Sequence, residues 1–215
     1  MTTTASASIL AAYLVPENTA ERRSAHLDFA RLGPDLAELL GAELGEVETG
    51  SFGSARLVLS SGLVLHVRPS SGSHNRLVVY SSASRTLTKQ LRYSEIATFP
   101  EMTATATKTL AQLAKDIQRR VIAEAAEPLQ RVADKVKDQL NARHCLLSRV
   151  DALTSTVPGI RVDVPSDLSA SSARFNIDGK SFTASGSMHA NGSIHLERIN
   201  GIHADKLAAL VAALA

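Results

Sequence analysis

"SARLVLSSGLVLHV", residues 54 to 67, decides how the chain is read. Apolar side chains alternate on both sides of Ser60-Ser61-Gly62, the period-two pattern of two strands with one buried face. A three-residue loop with Gly62 in the left-handed conformation sets Leu59 against Leu63, Leu57 against Leu65 and Ala55 against Val67. That face is aliphatic throughout. The other face sets Val58 against Val64 and Arg56 against His66, so it is only partly polar. Runs at 53–60, 63–68 and 76–82 share the alternation and predict a three-stranded antiparallel meander.

A second stretch, "SARFNIDGKSFTAS" at 172 to 185, repeats the Ser-Ala-Arg opening and the alternation. Asp178-Gly179 reads as a two-residue hairpin turn that places Phe175 opposite Phe182 and Ala173 opposite Ala184. Asn191-Gly192, in a three-residue loop with Gly192 left-handed, sets Met188 against Ile194. Ile160, Val162 and Val164 alternate just before, which gives a second meander. The shared grammar is open to two explanations, duplication of an ancestral half and convergence on common hairpin signals.

Elsewhere the period is helical. Leu27, Ala30, Leu36, Leu39, Leu40 and Leu44 predict a helix over about 24–44, interrupted at Gly33-Pro34 and stopped at Gly45. Leu110, Leu113, Ile117 and Val121 stand three and four apart, and the pattern resumes after Pro128 with Leu129, Val132, Val136, Leu140, Leu147 and Val150. Proline removes a helical donor and crowds the preceding turn, so a kink or break is expected at Pro128. "ADKLAALVAALA" at 204–215 reads as a closing helix. The expected fold is α+β, with two antiparallel three-stranded meanders (about 53–82 and 160–198). A long helical segment joins them, and N- and C-terminal helices flank them. The organisation expected is a flexible segment 1–23, a helix plus meander 24–100, helices 101–157 and a second meander plus helix 158–215. One compact domain with two related halves would use the same elements.

Composition narrows the function. Of 215 residues, 44% are hydrophobic but only 4% aromatic, so an aliphatic core is available. A single cysteine, Cys145, excludes an internal disulfide framework and a multi-thiolate metal centre, and fits a cytoplasmic protein. It is expected to be a buried structural thiol, since His144 beside it points about 100° away on a helix. No run reaches the ~18 apolar residues of a membrane span. His189, His195 and His203 lack a carboxylate or thiol at ligand spacing, so no metal or other cofactor is assigned. The familiar hydrolase, phosphate-loop and dinucleotide signatures are missing, and no catalytic residue is assigned. An enzyme is therefore not expected, although motif absence alone does not exclude a dispersed active site.

Charge is more informative. The chain carries a net +2, yet residues 49–94 hold no Asp or Glu and six cations: Arg56, Arg68, Arg76, Arg85, Lys89 and Arg92. Six positive against none negative gives +6, which leaves −4 for the remainder. Arg56, His66 and Arg68 share the less apolar face of the first hairpin, Arg76 begins the third strand, and Tyr80 and Tyr93 are near. A sheet face with arginines and aromatics can hold an acidic protein surface or single-stranded nucleic acid. The ordinary alternative is that the cations neutralise acids on packed helices, such as Glu95, Glu101 and Asp116. The apolar stripes over 103–155 raise a second expectation, a homodimer through those helices.

"SASRTLTKQLRYSEIATFPEMTATATKTLAQLAKDIQRRVI", residues 82–122, leads from a strand through a Thr/Ala stretch into Ala-Lys-Asp-Ile-Gln-Arg-Arg. Over residues 54–125 the chain resembles small uncharacterised proteins carried by phages and plasmids. The resemblance implies an accessory role and carries no activity with it. Together the expectations are a non-catalytic binding protein acting on a host protein or, alternatively, a nucleic-acid-binding module of modest affinity using the basic segment.

Overall fold

The structure, a computed structural model, describes residues 7–19, 22–50, 53–70, 73–89, 91–167, 170–179 and 182–206. The chain divides into two compact units: Met1–Lys89 with Tyr93–Ala133, and Gln90–Arg92 with Asp134–Ala215. Each builds a core of its own.

In the first unit, α1 (Ile9–Tyr13) leads into the hairpin β1 (Leu14–Thr19) and β2 (Arg22–Leu27), then α2 (Phe29–Leu40). A five-stranded antiparallel sheet follows: β3 (Glu43–Glu48), β4 (Ser54–Val58), β5 (Leu63–Ser70), β6 (Ser73–Ala83) and β7 (Glu101–Thr105), paired in that order. A one-turn helix, α3 (Arg85–Thr88), and a 3-10 turn (Tyr93–Glu95) separate β6 from β7. Next come α4 (Leu110–Ile117), a π-helical turn (Gln118–Ile122) and α5 (Ala123–Thr156). The fold is α+β, but the expected three-stranded meander is the middle of a larger sheet.

Register explains why the middle was legible. Ala55 pairs Val67, Arg56 pairs His66, Leu57 pairs Leu65 and Val58 pairs Val64, as the alternation requires. Gly62 has φ 83°, and its N–H donates to the Leu59 carbonyl at 2.9 Å. Leu57, Leu65, Val67, Leu77 and Val79 are at most 0% exposed and form the floor of the core. Phe29, Leu32 and Leu36 of α2 and Leu113 and Ile117 of α4 belong to the same cluster. Burying each such side chain contributes about 1.5–3 kcal/mol before entropy is set against it.

Three helical expectations need correction. α2 starts at Phe29, because Asp28 caps it by accepting from the Ala30 N–H at 3.1 Å, and it ends at Gly41 rather than Gly45. Gly33-Pro34 does not break it: Gly33 is where the helix approaches the sheet, with a Cβ there only 3.2 Å from Ala55 Cβ. Residues 103–105 are strand, since Met102 and Ala104 are buried alternately, and α4 begins after the Thr109–Gln112 capping box. α5 runs unbroken through Pro128, and the irregular turn precedes it, where the Ala123 N–H donates five residues back to Gln118. Glu124, whose carbonyl Pro128 deprives of a donor, is an exposed residue where water can serve it.

The segment expected to be loose also holds structure. Ile9 and Tyr13 of α1 are 0% and 1% exposed, and the Tyr13 hydroxyl donates to Asp35 at 2.6 Å. Burial and that carboxylate push the Tyr13 hydroxyl above the usual tyrosine range.

In the second unit, β8 (Ile160–Asp163), β9 (Ser172–Asp178), β10 (Thr183–His189) and β11 (Ile194–Asn200) form a four-stranded antiparallel meander, one strand more than expected. Leu146 and Val150 of α5 pack with Ala173, Phe175 and Met188. Met188 pairs Ile194 as the sequence requires. Phe175, however, pairs Gly186, and Ala173 pairs Met188. The turn is longer than Asp178-Gly179, with Asp178 pairing Thr183. Gly186 explains the shift: a Cβ there would stand 2.9 Å from Phe175 Cζ, so the bare glycine leaves room for the ring. The closing helix expected at 204–215 is described only at residues 204–206, and its remainder lies outside the described residues.

Candidate functional site

The face of the five-stranded sheet turned away from its core collects the chemistry. Across four strands, one row reads Arg56, His66, Tyr80, Glu101. The next pairs Arg68 with Val78 and Val78 with Thr103, and Arg76 pairs Thr105 beyond it. The face is not uniform. Val64 is 1% exposed, His66 and Tyr80 are half-buried, and Arg68 and Arg76 are exposed.

The rings are organised. His66 and Tyr80 stack with centroids 4.7 Å apart and planes 5° from parallel. The Arg68 guanidinium lies over the Tyr80 ring, 5.4 Å from its centroid. Such a contact holds a flexible cation in one place and contributes about 0.5–1 kcal/mol at an exposed site. Ser82 Oγ lies 3.5 Å from His66 Nε2. Burial, reinforced by the Arg56 charge, holds the His66 imidazole below its ordinary value. Arg56 Nε is itself buried and finds no hydrogen-bond partner among the described residues.

Of the other expected residues, Arg85 and Lys89 are exposed on α3 and just after it, and Tyr93 is 92% exposed on the 3-10 turn. Arg92 groups with the second unit and the other five cations with the first. Of the acids expected to neutralise them, Asp116 is engaged by other cations. Asp116 pairs with Lys108 and, at 3.5 Å, with Arg119, and the Lys108 hydrogen bond holds its carboxyl below the usual range. Among the described residues, Arg56, Arg68, Arg76, Arg85 and Lys89 form no ion pair.

Reading along the chain missed the acids that pairing brings back. β3 lies beside β4 and carries Glu43, Glu46 and Glu48, all exposed, with Glu48 accepting from Ser54 Oγ at 2.9 Å. Glu101 ends the row on the far side. The acid-free window begins at Thr49, one residue after β3 ends, and the run "GAELGEVETG" was the signal for these neighbours.

Cys145 is exposed, contrary to the expectation of a buried thiol, because the α5 surface that buries Leu146 and Val150 turns it outward. It lines a shallow groove of about 580 Å³ along α5 with Asn141, His144, Ser148, Arg149 and Ala152. Among the described residues, no three His, Cys, Asp or Glu side chains gather as a metal's ligand set, and no helix is long and apolar enough to cross a membrane. Comparison with family models, curated proteins and solved structures finds no match to this chain.

Proposed function

We propose that the chain is a non-catalytic binding protein whose contact surface is the Arg56–His66–Arg68–Arg76–Tyr80 face, taking an acidic patch on a partner protein. One observation carries the reading: among the described residues these cations form no ion pair, yet Arg68 and the two rings are already ordered around one another. Ordered arginine and tyrosine are the side chains that contribute most at protein interfaces, because little freedom is lost when they engage. The resemblance to small phage and plasmid proteins supplies the setting, an accessory that occupies a host protein. Glu43, Glu46, Glu48 and Glu101 favour a protein over nucleic acid, since acids flanking a cationic strip repel a polyphosphate and can register a partner of mixed charge. Self-association belongs to the same proposal: Leu140 and Leu147, seven residues apart on α5, are 45% and 42% exposed.

The test uses the intact chain, immobilised against a lysate of a candidate host, beside Arg68→Ala and Tyr80→Ala. A stoichiometric partner retained by the parent and lost from both variants is expected. Retention by both variants would sink the assignment of this face. Binding of single-stranded DNA or RNA at low salt, lost in the same variants, would replace the protein partner with nucleic acid.

A further inference from the structure

We propose that Arg56 and His66 form a carboxylate subsite within this face, which seats one Asp or Glu side chain of the partner and takes up a proton as it does so. The inference rests on the reading of the face as a partner surface and names the chemistry at its centre.

The two residues stand directly opposite each other on β4 and β5. Arg56 Nε is buried with no acceptor among the described residues. Leaving such a donor unmet costs about 1–3 kcal/mol, and a carboxylate is the acceptor whose two oxygens match the guanidinium edge. Arg56 packs across Gly45, where a Cβ would lie 3.2 Å from the Arg56 carbonyl oxygen and 3.6 Å from its Cγ, and the strand is irregular between Leu44 and Val47. The His66 ring is fixed by its stack on Tyr80, so it can meet a ligand only with its edge.

The surrounding charges decide the sign. β4 presents Arg56, β5 itself presents Arg68, and β6 presents Tyr80 and Ser82. The nearest acids in the pairing are Glu46 on β3, in the irregular Gly45–Glu46 step that stands opposite Arg56, with Glu43 and Glu48 to either side pairing Val58 and Ser54, and Glu101 on β7, across from Tyr80. None forms an ion pair with Arg56 or His66. With Arg56 opposite and burial acting the same way, free His66 resists a second positive charge. A carboxylate seated between them reverses that balance and favours the imidazolium. By linkage, binding then tightens as pH falls through the His66 titration.

The probe is a blocked hexaglutamate peptide, with blocked hexaglutamine as control, titrated into the full chain while NMR follows the His66 ring and the Arg56 Nε–H. A rise of about one pKa unit at His66 is expected at saturation, equivalent to about tenfold tighter binding on the acid side. Arg56→Gln should abolish the rise while leaving the amide spectrum native, and His66→Gln should flatten the pH dependence of affinity. If resonances of Arg68 and Tyr80 move while the His66 midpoint stays fixed, the subsite is wrong and the surface reading survives. If no resonance of the face responds, both are wrong. An equal response to hexaglutamine overturns the carboxylate.

Discussion

His66 shows how one residue's surroundings set a property of the fold. Its native titration lies below the ordinary value of 6.5, through burial and then through Arg56. The unfolded chain therefore binds the proton more readily than the native one. Stability is complete above the unfolded value and is lost as pH falls from there through the depressed native value. Urea midpoints at pH 7.5 and pH 5 should differ in that direction for the parent and differ less for His66→Gln; equal losses in both would remove His66 from the account. That His66 faces Arg56 was legible, since both follow from alternation around one glycine turn. Its contact with Tyr80 was not, because a diagonal or direct partner on a third strand depends on the length of the second turn. Cys145 was misread for a similar reason: a stripe of leucines and valines fixes which way a helix faces only when the surface it packs on is known.

At the scale of elements, turn chemistry explains both the success and the failure. The Ser60–Gly62 turn and the Ala190–Gly192 turn are built alike. In each, the glycine N–H donates at 2.9 Å to the residue three back, Leu59 or His189, and each glycine has positive φ, 83° and 91°. Both were readable. The turn after Asp178 was not, because the register there is set by the contact between Phe175 and Gly186 rather than by local signals. The turn matching that of the first Ser-Ala-Arg hairpin thus recurs one hairpin later in the second unit, which separates the two stretches that look most alike in sequence. Gly186→Ala should cost about 3 kcal/mol, since its Cβ would lie 2.2 Å from the His195 carbonyl oxygen. Ser185→Ala beside it should stay within about 0.5 kcal/mol. Chemical denaturation of the two variants checks this, and equal effects would mean that β10 and β11 do not approach as described. β3 and β7 escaped the reading because these edge strands bury too little to establish a period: β3 buries no residue fully, and β7 only Met102 and Ala104.

On the scale of the whole molecule, two cores with no shared member predict two responses. Leu113→Ala empties space in the first and Phe175→Ala in the second, each at a cost of about 2–5 kcal/mol. Calorimetry should show each substitution lowering a different transition; a single transition lowered alike by both would show that the units unfold as one. The π-helical turn at Gln118–Ile122 bears on the larger of these cores. Ile117, Val121 and Ala125 are all 0% exposed at steps of four, although four residues of α-helix overshoot a full turn by about 40°. The wider turn absorbs the overshoot and works as a phase corrector. Because a π turn carries about one residue more than an α turn, removing one of its five residues would let the segment rewind as ordinary helix with the later side chains of the first unit facing nearly as before, whereas removing a residue from α-helix would swing them by about 100°; the protein's tolerance of length change at this point is one residue wide.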